Sequence, residues 1–362
     1  MVKVVLKMES KKCKFKIITP VFSYGADNSS AQSVPEIRPT SIKGMMRYMF
    51  RITQPTLEVG ELLNHEKKIF GDAETAASPL RLAVSKQNLK IGSERFLLHK
   101  PSFKRKFIQP NQPFSLLMRL RPKYVRDHQT LDWYQSLLEL SFLLIGIGQR
   151  SRKGRGRAQI ESNEKGLKSD VKCKIKKHLN NIMLNDVGIY ELSKDEKEIE
   201  FKPNENQQGA ENRPVIEKIV FGKPIKNQGK IEAWQKLLKN IDQASHDIKK
   251  RDNEQVPIHA SLIIKKTNSE AYFATGSVEE TGCRNKKRGR REGICEKKCI
   301  CDYKTVARFS SSIIVGAVET TEGLLPIYTC VKAVVEGKVL DNAETEWGEF
   351  IKKVEGKGGE QS

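Results

Sequence analysis

Apolar and polar residues alternate in several short segments of the first half of the chain, and this pattern predicts β-strands. Near the amino terminus, Cys13, Phe15 and Ile17 are separated by lysines, which is the two-residue period of a strand with one buried face. The other segments with strand character are L-R-L-A-V after Ser78-Pro79, Phe114–Leu120 and Ala158–Glu161. We therefore expect a sheet in this half.

Two other segments have the spacing of helices. In the first, Pro39–Ser41 offers N-cap residues, and the apolar residues that follow lie on one helix face: Ile42, Met45, Met46, Met49 and Phe50. The second, Leu131–Ile145, is apolar almost throughout and predicts a largely buried helix. The order strand, helix, strand, strand, helix, strand is the ferredoxin-like βαββαβ arrangement. The RNA-recognition fold has the same layout, although its aromatic signature is not found here.

The second half of the chain is more polar and its pattern is less regular. Beyond residue 208, strands are predicted at Val215–Phe221, Ile258–Ile264, Ser312–Val318 and Pro326–Val335, and a helix at Glu232–Ile241. A faint internal echo fits a duplicated fold, because A-S-P-L-R-L-A-V at Ala77–Val84 is similar to S-S-S-I-I-V-G-A-V at Ser310–Val318. The fold class expected is α+β, with tandem ferredoxin-like, RNA-recognition-like domains that carry basic loops and insertions.

Three parts are predicted along the chain of 362 residues, a length that fits roughly two domains. Residues 1–165 form an N-terminal ferredoxin-like domain that ends in a glycine-rich loop and the last strand. Residues 166–208, with runs such as K-C-K-I-K-K and D-E-K-E-I-E, are interpreted as a polar linker or insertion. Residues 209–362 form a second, diverged ferredoxin-like domain with a basic, cysteine-rich insertion.

The charge of the chain narrows the classes of partner. Lys plus Arg is 65 and Asp plus Glu is 44, which leaves a net charge of +21. Such a surplus favours a polyanionic partner: nucleic acid, an anionic membrane surface or an acidic protein. The longest apolar stretch, Leu140–Gly148, is about half of a membrane span. No secretory signal is recognised, and seven cysteines suit a reducing compartment, so a cytoplasmic location without a membrane is expected.

The first candidate site is the predicted helix after Pro39. Lys43, Arg47 and Arg51 are spaced by four residues and so form one basic ridge, with Arg38 just before the helix. Backbone N–H groups at a helix amino terminus favour phosphate. The alternative interpretation is a solvated helix face that only keeps the protein soluble.

The second candidate site is the segment G-I-G-Q-R-S-R-K-G-R-G-R, residues 146–157, in which four glycines interleave with five cations and no acid. Glycines let the backbone approach a nucleic acid closely, and arginines make bidentate phosphate contacts or stack on bases. The predicted RNA-binding cations are Arg150, Arg152, Lys153, Arg155 and Arg157. A disordered basic hinge is the alternative. A mononucleotide P-loop is not supported, because no G-K-S or G-K-T ending occurs.

Other side chains offer metal or acid–base chemistry. Cys283, Cys295, Cys299 and Cys301 are spaced C-x11-C-x3-C-x-C, and four thiolates can close a tetrahedral zinc site. Unpaired thiols in a flexible loop, or disulfides, remain open alternatives, and no cofactor is required beyond this possible structural zinc. Among the six histidines, His99 is the best candidate for a general acid or base in RNA cleavage; a surface histidine is the simpler interpretation.

Three motifs together resemble a known family. They are P-E-I-R-P-T-S-I-K-G-M-M-R-Y-M-F-R (Pro35–Arg51), E-x-x-I-F-G with S-P-L-R-L, and the glycine-rich loop. They are similar to the RAMP superfamily of CRISPR-associated proteins, and within it to the first subunit of the type III-B Cmr effector complex. Thr19, Pro20 and Val21 match the opening motif of that family. The resemblance spans about Phe15–Ile160, and the second half departs from it.

The resemblance implies two tandem ferredoxin-like domains and a place near one end of a ribonucleoprotein complex built on a CRISPR RNA. It implies a noncatalytic, RNA-binding subunit of antiviral defence, whose partners are crRNA, target RNA and other Cmr-type RAMP subunits. The alternative function is a metal-independent RAMP endoribonuclease that processes CRISPR transcripts. A third is an assembly module whose basic surface contacts an acidic subunit.

Overall fold

The computed structural model describes residues 9–25, 33–74, 77–85, 88–97, 100–121, 130–161, 171–184, 188–204, 213–229, 231–251, 312–332, 334–335, 338–339 and 343–356. These residues form a mixed α+β structure with two main antiparallel sheets. The strand predicted at Ile258–Ile264 lies outside the described residues.

The first half of the chain contains six strands and three helices within its described residues. They are β1 (Ser10–Ile17), α1 (Pro39–Ile52), α2 (Val59–Phe70), β2 (Leu80–Val84), β3 (Ile91–Leu97), β4 (Lys100–Ile108), β5 (Pro113–Leu120), α3 (Leu131–Leu140) and β6 (Ala158–Ile160). Helix α3 continues as a π-helical turn, Ser141–Ile145. The four predicted strands and two predicted helices are confirmed, whereas α2 and the β3–β4 hairpin were not predicted.

The first sheet has the strand order β2-β5-β1-β6, and every neighbouring pair is antiparallel. Strands β3 and β4 form a separate two-stranded hairpin. With this hairpin set aside, the four core strands have the order 2-3-1-4, which is the ferredoxin-like order. Strand β1 is central, and its buried Phe15 lies 5.4 Å from the ring of Phe114 and 4.8 Å from that of Phe142.

The second half contains three helices and seven strands within its described residues. They are α4 (Val171–Ile182), β7 (Gly188–Leu192), β8 (Glu198–Pro203), β9 (Ile216–Phe221), α5 (Ala233–Arg251), β10 (Ile313–Glu319), β11 (Leu324–Val331), β12 (Val334–Val335), β13 (Lys338–Val339) and α6 (Ala343–Val354). Strands were predicted correctly at β9, β10 and β11. Helix α5 was also predicted, but it extends to Arg251 rather than ending at Ile241.

The second sheet has the order β10-β11-β9-β8-β7. The ferredoxin-like order of elements is followed as far as its second helix, with β9, α5, β10, β11 and α6 in succession. At the position of the closing strand lies β8, which precedes β9 in the chain and pairs with it in antiparallel fashion. The second unit therefore departs from the predicted βαββαβ arrangement at its last strand.

The interpretation of residues 166–208 as a linker is wrong for the part that the structure describes, because this part supplies α4, β7 and β8. Helix α4 buries Val171, Ile175, Leu179 and Ile182, which recur at helical spacing. These positions were overlooked because the residues between them are mostly polar and include four lysines. The long charged side chains lie on the other face, so the average composition hides the apolar stripe.

The internal echo falls on equivalent strands. Strand β2 carries the first copy and lies at the end of the first sheet beside β5; β10 carries the second copy and lies at the end of the second sheet beside β11. The two sheets also share one hydrophobic core, which includes Phe142 from the first half and Ile314 from the second. At Gly316 of β10, an added Cβ would lie 2.3 Å from the Leu143 carbonyl oxygen, so glycine allows β10 to approach the π-helical turn.

Candidate nucleic-acid interface

Helix α1 positions the basic ridge because its apolar face is buried against the first sheet. Ile42, Met46 and Met49 are fully buried, which turns the residues between them outward. The N-cap is Arg38, and Pro39 occupies the first turn, where its fixed φ suits a helix. The capping role predicted for Pro39–Ser41 is therefore wrong. No acidic side chain lies in the first turn, and the Arg38 Nε lies 3.6 Å from Glu36 Oε1.

The carboxyl-terminal part of the ridge is engaged with α2. Arg51 donates to both carboxylate oxygens of the buried Glu66, with Nη2 2.8 Å from Oε1. Arg47 donates to the Gly71 carbonyl at 2.7 Å and to the Phe70 carbonyl at 3.3 Å, which satisfies acceptors at the end of α2. The spacing of these arginines on one face is confirmed, but both hold α2 in place, and part of each side chain remains exposed.

Lys43 lies in a different electrostatic environment. Its Nζ lies 3.0 Å from Ser78 Oγ. Burial lowers the pKa of Lys43, and the positive charges of Arg121, Arg47 and Arg81 lower it further. All the charges that shift the pKa of Lys43 are positive. We name these four residues (Lys43, Arg47, Arg81 and Arg121) the Lys43 cluster.

The glycine-rich loop is folded tightly against the segment that follows β1. The Gly156 amide donates to the Pro20 carbonyl at 2.9 Å, and the Arg157 amide donates to Thr19 Oγ1 at 3.0 Å. The four glycines of the loop have φ between 72° and 85°, a region that favours glycine. The loop is therefore held in place by hydrogen bonds to a distant segment of the chain, and the interpretation as a disordered hinge is wrong.

Two loop arginines bind one carboxylate of the second half. Arg155 donates to Asp242 of α5 through both terminal nitrogens, at 2.6 and 3.2 Å. Arg150 donates to the same carboxylate at 2.7 Å. Arg155 is 4% exposed and Asp242 is 8% exposed, so this is a buried, bidentate ion pair. It joins the loop to α5.

Arg157 is fully buried, with 0% of its surface exposed. Its Nη2 donates to the carbonyl oxygens of Val315 in β10 and of Ser151, the latter at 2.9 Å. Burial lowers the pKa of Arg157 from 12.5 to about 9. In this conformation Arg155 and Arg157 are inaccessible to a phosphate, so their predicted role in binding RNA is corrected to a structural one.

The remaining loop cations also contact the body of the protein. The guanidinium of Arg152 lies 4.6 Å from the ring centroid of Tyr48 on α1, and the Lys153 ammonium lies 5.3 Å from that of Phe350 on α6; both are cation–π distances. The Val315 amide also donates to the Arg152 carbonyl at 3.0 Å. The loop thus connects α1, α5, α6 and β10, and its main role is to hold the two halves together.

Three charged residues that sequence reasoning missed organise this region. Glu66 holds Arg51, and Asp242 holds the loop arginines. Arg213 is buried and donates to the carbonyl of Arg51, in the last turn of α1, at 2.9 Å and to that of Leu57, beyond this helix, at 2.8 Å. For Glu66, the E-x-x-I-F-G motif was a usable signal. For Asp242 and Arg213 no local signal exists, because their partners lie 87 or more residues away.

One histidine lies in a buried polar network between α3 and α4. His178 Nδ1 lies 3.0 Å from Ser136 Oγ, and its Nε2 lies 3.4 Å from Glu139 Oε2. Lys174 Nζ lies 2.5 Å from the same carboxylate oxygen. Ser136 is 5% exposed and Glu139 is 4% exposed. Because these groups are enclosed, the arrangement stabilises the helix pair and is not an accessible catalytic centre.

The Glu139 network predicts a pH dependence of stability. Burial raises the pKa of Glu139, but the hydrogen bond from His178 and the charge of Lys174 outweigh it and hold the pKa at about 2, below its ordinary 4.5. The carboxylate therefore stabilises the fold above about pH 4.5, and this stabilisation is lost as the pH falls towards about 2. We expect Glu139→Gln to lower the free energy of unfolding by about 3 kcal/mol at neutral pH.

The measurement is urea unfolding of the wild type and of Glu139→Gln across pH 2–7. The difference between the two proteins should shrink as the pH falls through this window. The exposed Glu200→Gln serves as a control with the same chemical change. If the two proteins differed in free energy of unfolding by the same amount at every pH, the ionised Glu139 carboxylate would not be the source of the stabilisation.

Several predicted sites fall outside the described residues. Cys283, Cys295, Cys299, Cys301 and His99 all lie there, so the zinc and nuclease hypotheses stay predictions. Among the residues that the structure describes, no group of three or more potential metal ligands is found. Within the same residues, no helix is long and apolar enough to cross a membrane.

Comparison with known proteins gives a family match for the first part of the chain. Residues 14–159 match the family model of the RAMP superfamily, which covers β1 to β6 and the glycine-rich loop. No curated protein matches the sequence. The part of the chain from residue 14 to residue 159 is therefore similar to the RAMP superfamily.

Two solved structures show the fold of the whole chain. One is Cmr1 from Pyrococcus furiosus in its apo form, with 14% identity and a TM-score of 0.50 over 96% of this chain and 97% of that chain. The other is a chain of the type III-B Cmr-beta complex bound to cognate target RNA, with 14% identity and a TM-score of 0.51 over 96% and 99%. The chain therefore has a Cmr1-like fold.

Proposed function

We propose that the chain is a noncatalytic, RNA-binding subunit of a type III-B CRISPR effector complex that acts in the cytoplasm, with crRNA, target RNA and other RAMP subunits as partners. The observation that carries the RNA-binding part is the Lys43 cluster. It gathers four cations at the start of α1 within the RAMP region. Arg47 already lies 3.7 Å from Glu66 Oε1, and a phosphate backbone would add negative charge beside the other three cations.

Membership of an effector complex is supported by the shared fold. The structure similar to this chain across nearly its whole length is part of a complex described as bound to target RNA. Arg38, Lys43, Arg47 and Arg51 lie on or beside one exposed helix face. Arg152 lies beside the same helix, because its guanidinium stacks on Tyr48 of α1.

Binding is tested with the purified full-length chain and labelled single-stranded RNA in EDTA, by fluorescence anisotropy across a salt series. Five phosphate contacts on a single strand predict a log–log slope of about −3.5. Lys43→Gln/Arg121→Gln removes two cations of the cluster and should make the slope shallower by about 1.4. The matched control is Lys197→Gln/Lys202→Gln, which removes two lysines that lie beside acids on the β7–β8 hairpin.

The same samples are then run on a denaturing gel. Intact RNA supports the noncatalytic role, whereas cleavage of CRISPR repeat RNA in EDTA would favour the metal-independent endoribonuclease and direct attention to His99. Absence of RNA binding by the wild type would overturn the proposal.

Membership of a CRISPR complex needs a separate experiment. The tagged chain is purified from its native cells, and the RNA that copurifies is sequenced. Enrichment of repeat-derived RNA together with other RAMP subunits is expected. Recovery of unselected cellular RNA alone would contradict this part of the proposal.

A further inference from the structure

The face of the first sheet that points away from its helices is basic. Along β1 the side chains of Cys13, Phe15 and Ile17 are buried, whereas those of Lys12 and Lys14 are exposed. Successive residues of a strand point to opposite faces. The lysines therefore form a row on the solvent side of the central strand.

The strand register extends this row across the sheet. Lys12 lies opposite Leu117 and Lys14 opposite Ser115 on β5. Arg119 follows Leu117 by two residues on the same face, and it lies directly opposite Arg81 of β2. Both arginines are exposed. We name Lys12, Lys14, Arg81 and Arg119 the basic sheet face.

Little of the charge on this face is compensated within the described part of the protein, although the exposed Glu161 at the end of β6 lies beside Lys14, whose carbonyl accepts from the Glu161 amide at 2.9 Å. Among its residues, none forms an ion pair with any member of the basic sheet face. The neighbouring Lys16, at the β6 side, is held 2.6 Å from Glu319. Like charges directly opposite each other in a sheet repel, as Arg81 and Arg119 do. A polyanion laid across the face would remove this repulsion.

We propose that the basic sheet face binds the sugar–phosphate backbone of single-stranded RNA. This inference rests on the proposed function and adds a surface to it, of which only Arg81 belongs to a motif of the family resemblance. Lys12 and Lys14 are two residues apart, which is about 6.8 Å along a strand, a spacing similar to that of successive phosphates in an extended single strand. Arg81 belongs to both sets of cations, because its positive charge also lowers the pKa of Lys43.

The composition of the face predicts how it recognises RNA. The uncharged residues among the strand positions on this side include Ser115, Leu117 and Ala83, and no aromatic side chain occurs among the described strand positions that face outward. Bases therefore have no stacking platform here. Binding at this face is independent of sequence, because contacts to phosphate position a strand without specifying it.

The test compares Lys12→Gln/Lys14→Gln with Lys197→Gln/Lys202→Gln in the full-length chain, by anisotropy of labelled oligouridine. Each lost phosphate contact reduces the slope by about 0.7, so two lost contacts weaken binding roughly 25-fold at about 0.1 M salt. The control variant should bind like the wild type. An RNA duplex of the same length should compete less well than the single strand.

A second measurement is independent of substitution. Acetylation of Lys12 and Lys14 in the wild-type protein is followed by mass spectrometry with and without oligouridine, and both amines should be protected by RNA. If the wild type binds RNA while the double variant binds equally well and neither lysine is protected, this inference alone fails. If the wild type binds no RNA, the proposed function fails with it. The inference would also be overturned if Lys12→Gln/Lys14→Gln lost binding to an acidic protein partner while it still bound RNA like the wild type.

Discussion

Asp242→Ala is expected to lower the free energy of unfolding by about 3–5 kcal/mol, because it removes the carboxylate shared by the buried Arg155 and the half-buried Arg150. Asp242 accepts hydrogen bonds from Arg150 and Arg155, at 2.7 and 2.6 Å. Arg155 has almost no access to water, so it cannot recover its hydration when the carboxylate is removed. Chemical denaturation at neutral pH, with both proteins at the same concentration, measures the difference.

The control is Asp195→Ala, which removes an exposed carboxylate that pairs with Lys197; exposed pairs contribute about 0–1 kcal/mol. A rescue variant separates charge from packing. Arg150→Met/Arg155→Met/Asp242→Leu removes the whole ionic group and should recover much of the lost stability. If Asp242→Ala is as stable as the wild type, the Asp242 carboxylate does not stabilise the folded conformation of the glycine-rich loop.

Gly156→Ala is expected to cost a similar amount, about 3–5 kcal/mol, from backbone strain together with a steric clash. Gly156 has a φ of +74°, and an added Cβ would lie 1.9 Å from the Ile147 carbonyl oxygen. A backbone atom cannot rotate away as a side chain can, so the loop itself must shift. Thermal and chemical unfolding should both report the loss.

Gly348→Ala provides the matched control. Gly348 lies within α6, and an added Cβ there meets nothing within 4 Å. Alanine is the better helix former by up to about 1 kcal/mol, so this variant should be as stable as the wild type or more stable. A neutral Gly156→Ala would show that the loop is not held in the observed conformation.

The two RNA experiments become easier to interpret once these stability effects are known. Replacing Arg155 or Arg157 weakens the contact between the two halves, so a loss of RNA binding in such variants reports on folding as well as on contacts. Lys12, Lys14 and Lys43 are better probes of binding. Lys12 and Lys14 are exposed, whereas Lys43 is half-buried, and replacing any of the three leaves the Asp242 network intact.

The pattern of apolar and polar residues predicted most of the secondary structure of the first half of the chain. Alternation around Phe15 and helical spacing from Ile42 to Phe50 are local properties, and each depends only on which side of an element faces the core. The order of those elements then limits the topology to a few choices, and the motifs from Pro35 to Arg51 pointed to the RAMP superfamily. In the second half, α4 was missed because its apolar stripe is masked by lysines.

The roles of the cations were decided only by the tertiary structure. From the sequence, Arg155 and Arg157 are equivalent to any exposed arginine of a glycine-rich loop, because nothing near them in the chain shows that Asp242 and β10 lie against them. Burial and pairing are properties of contacts between distant segments. The sequence by itself therefore determined the core elements of the first half, the resemblance to the RAMP superfamily and the excess of positive charge. The packing of the two halves decided which of those charges hold the fold and which face solvent.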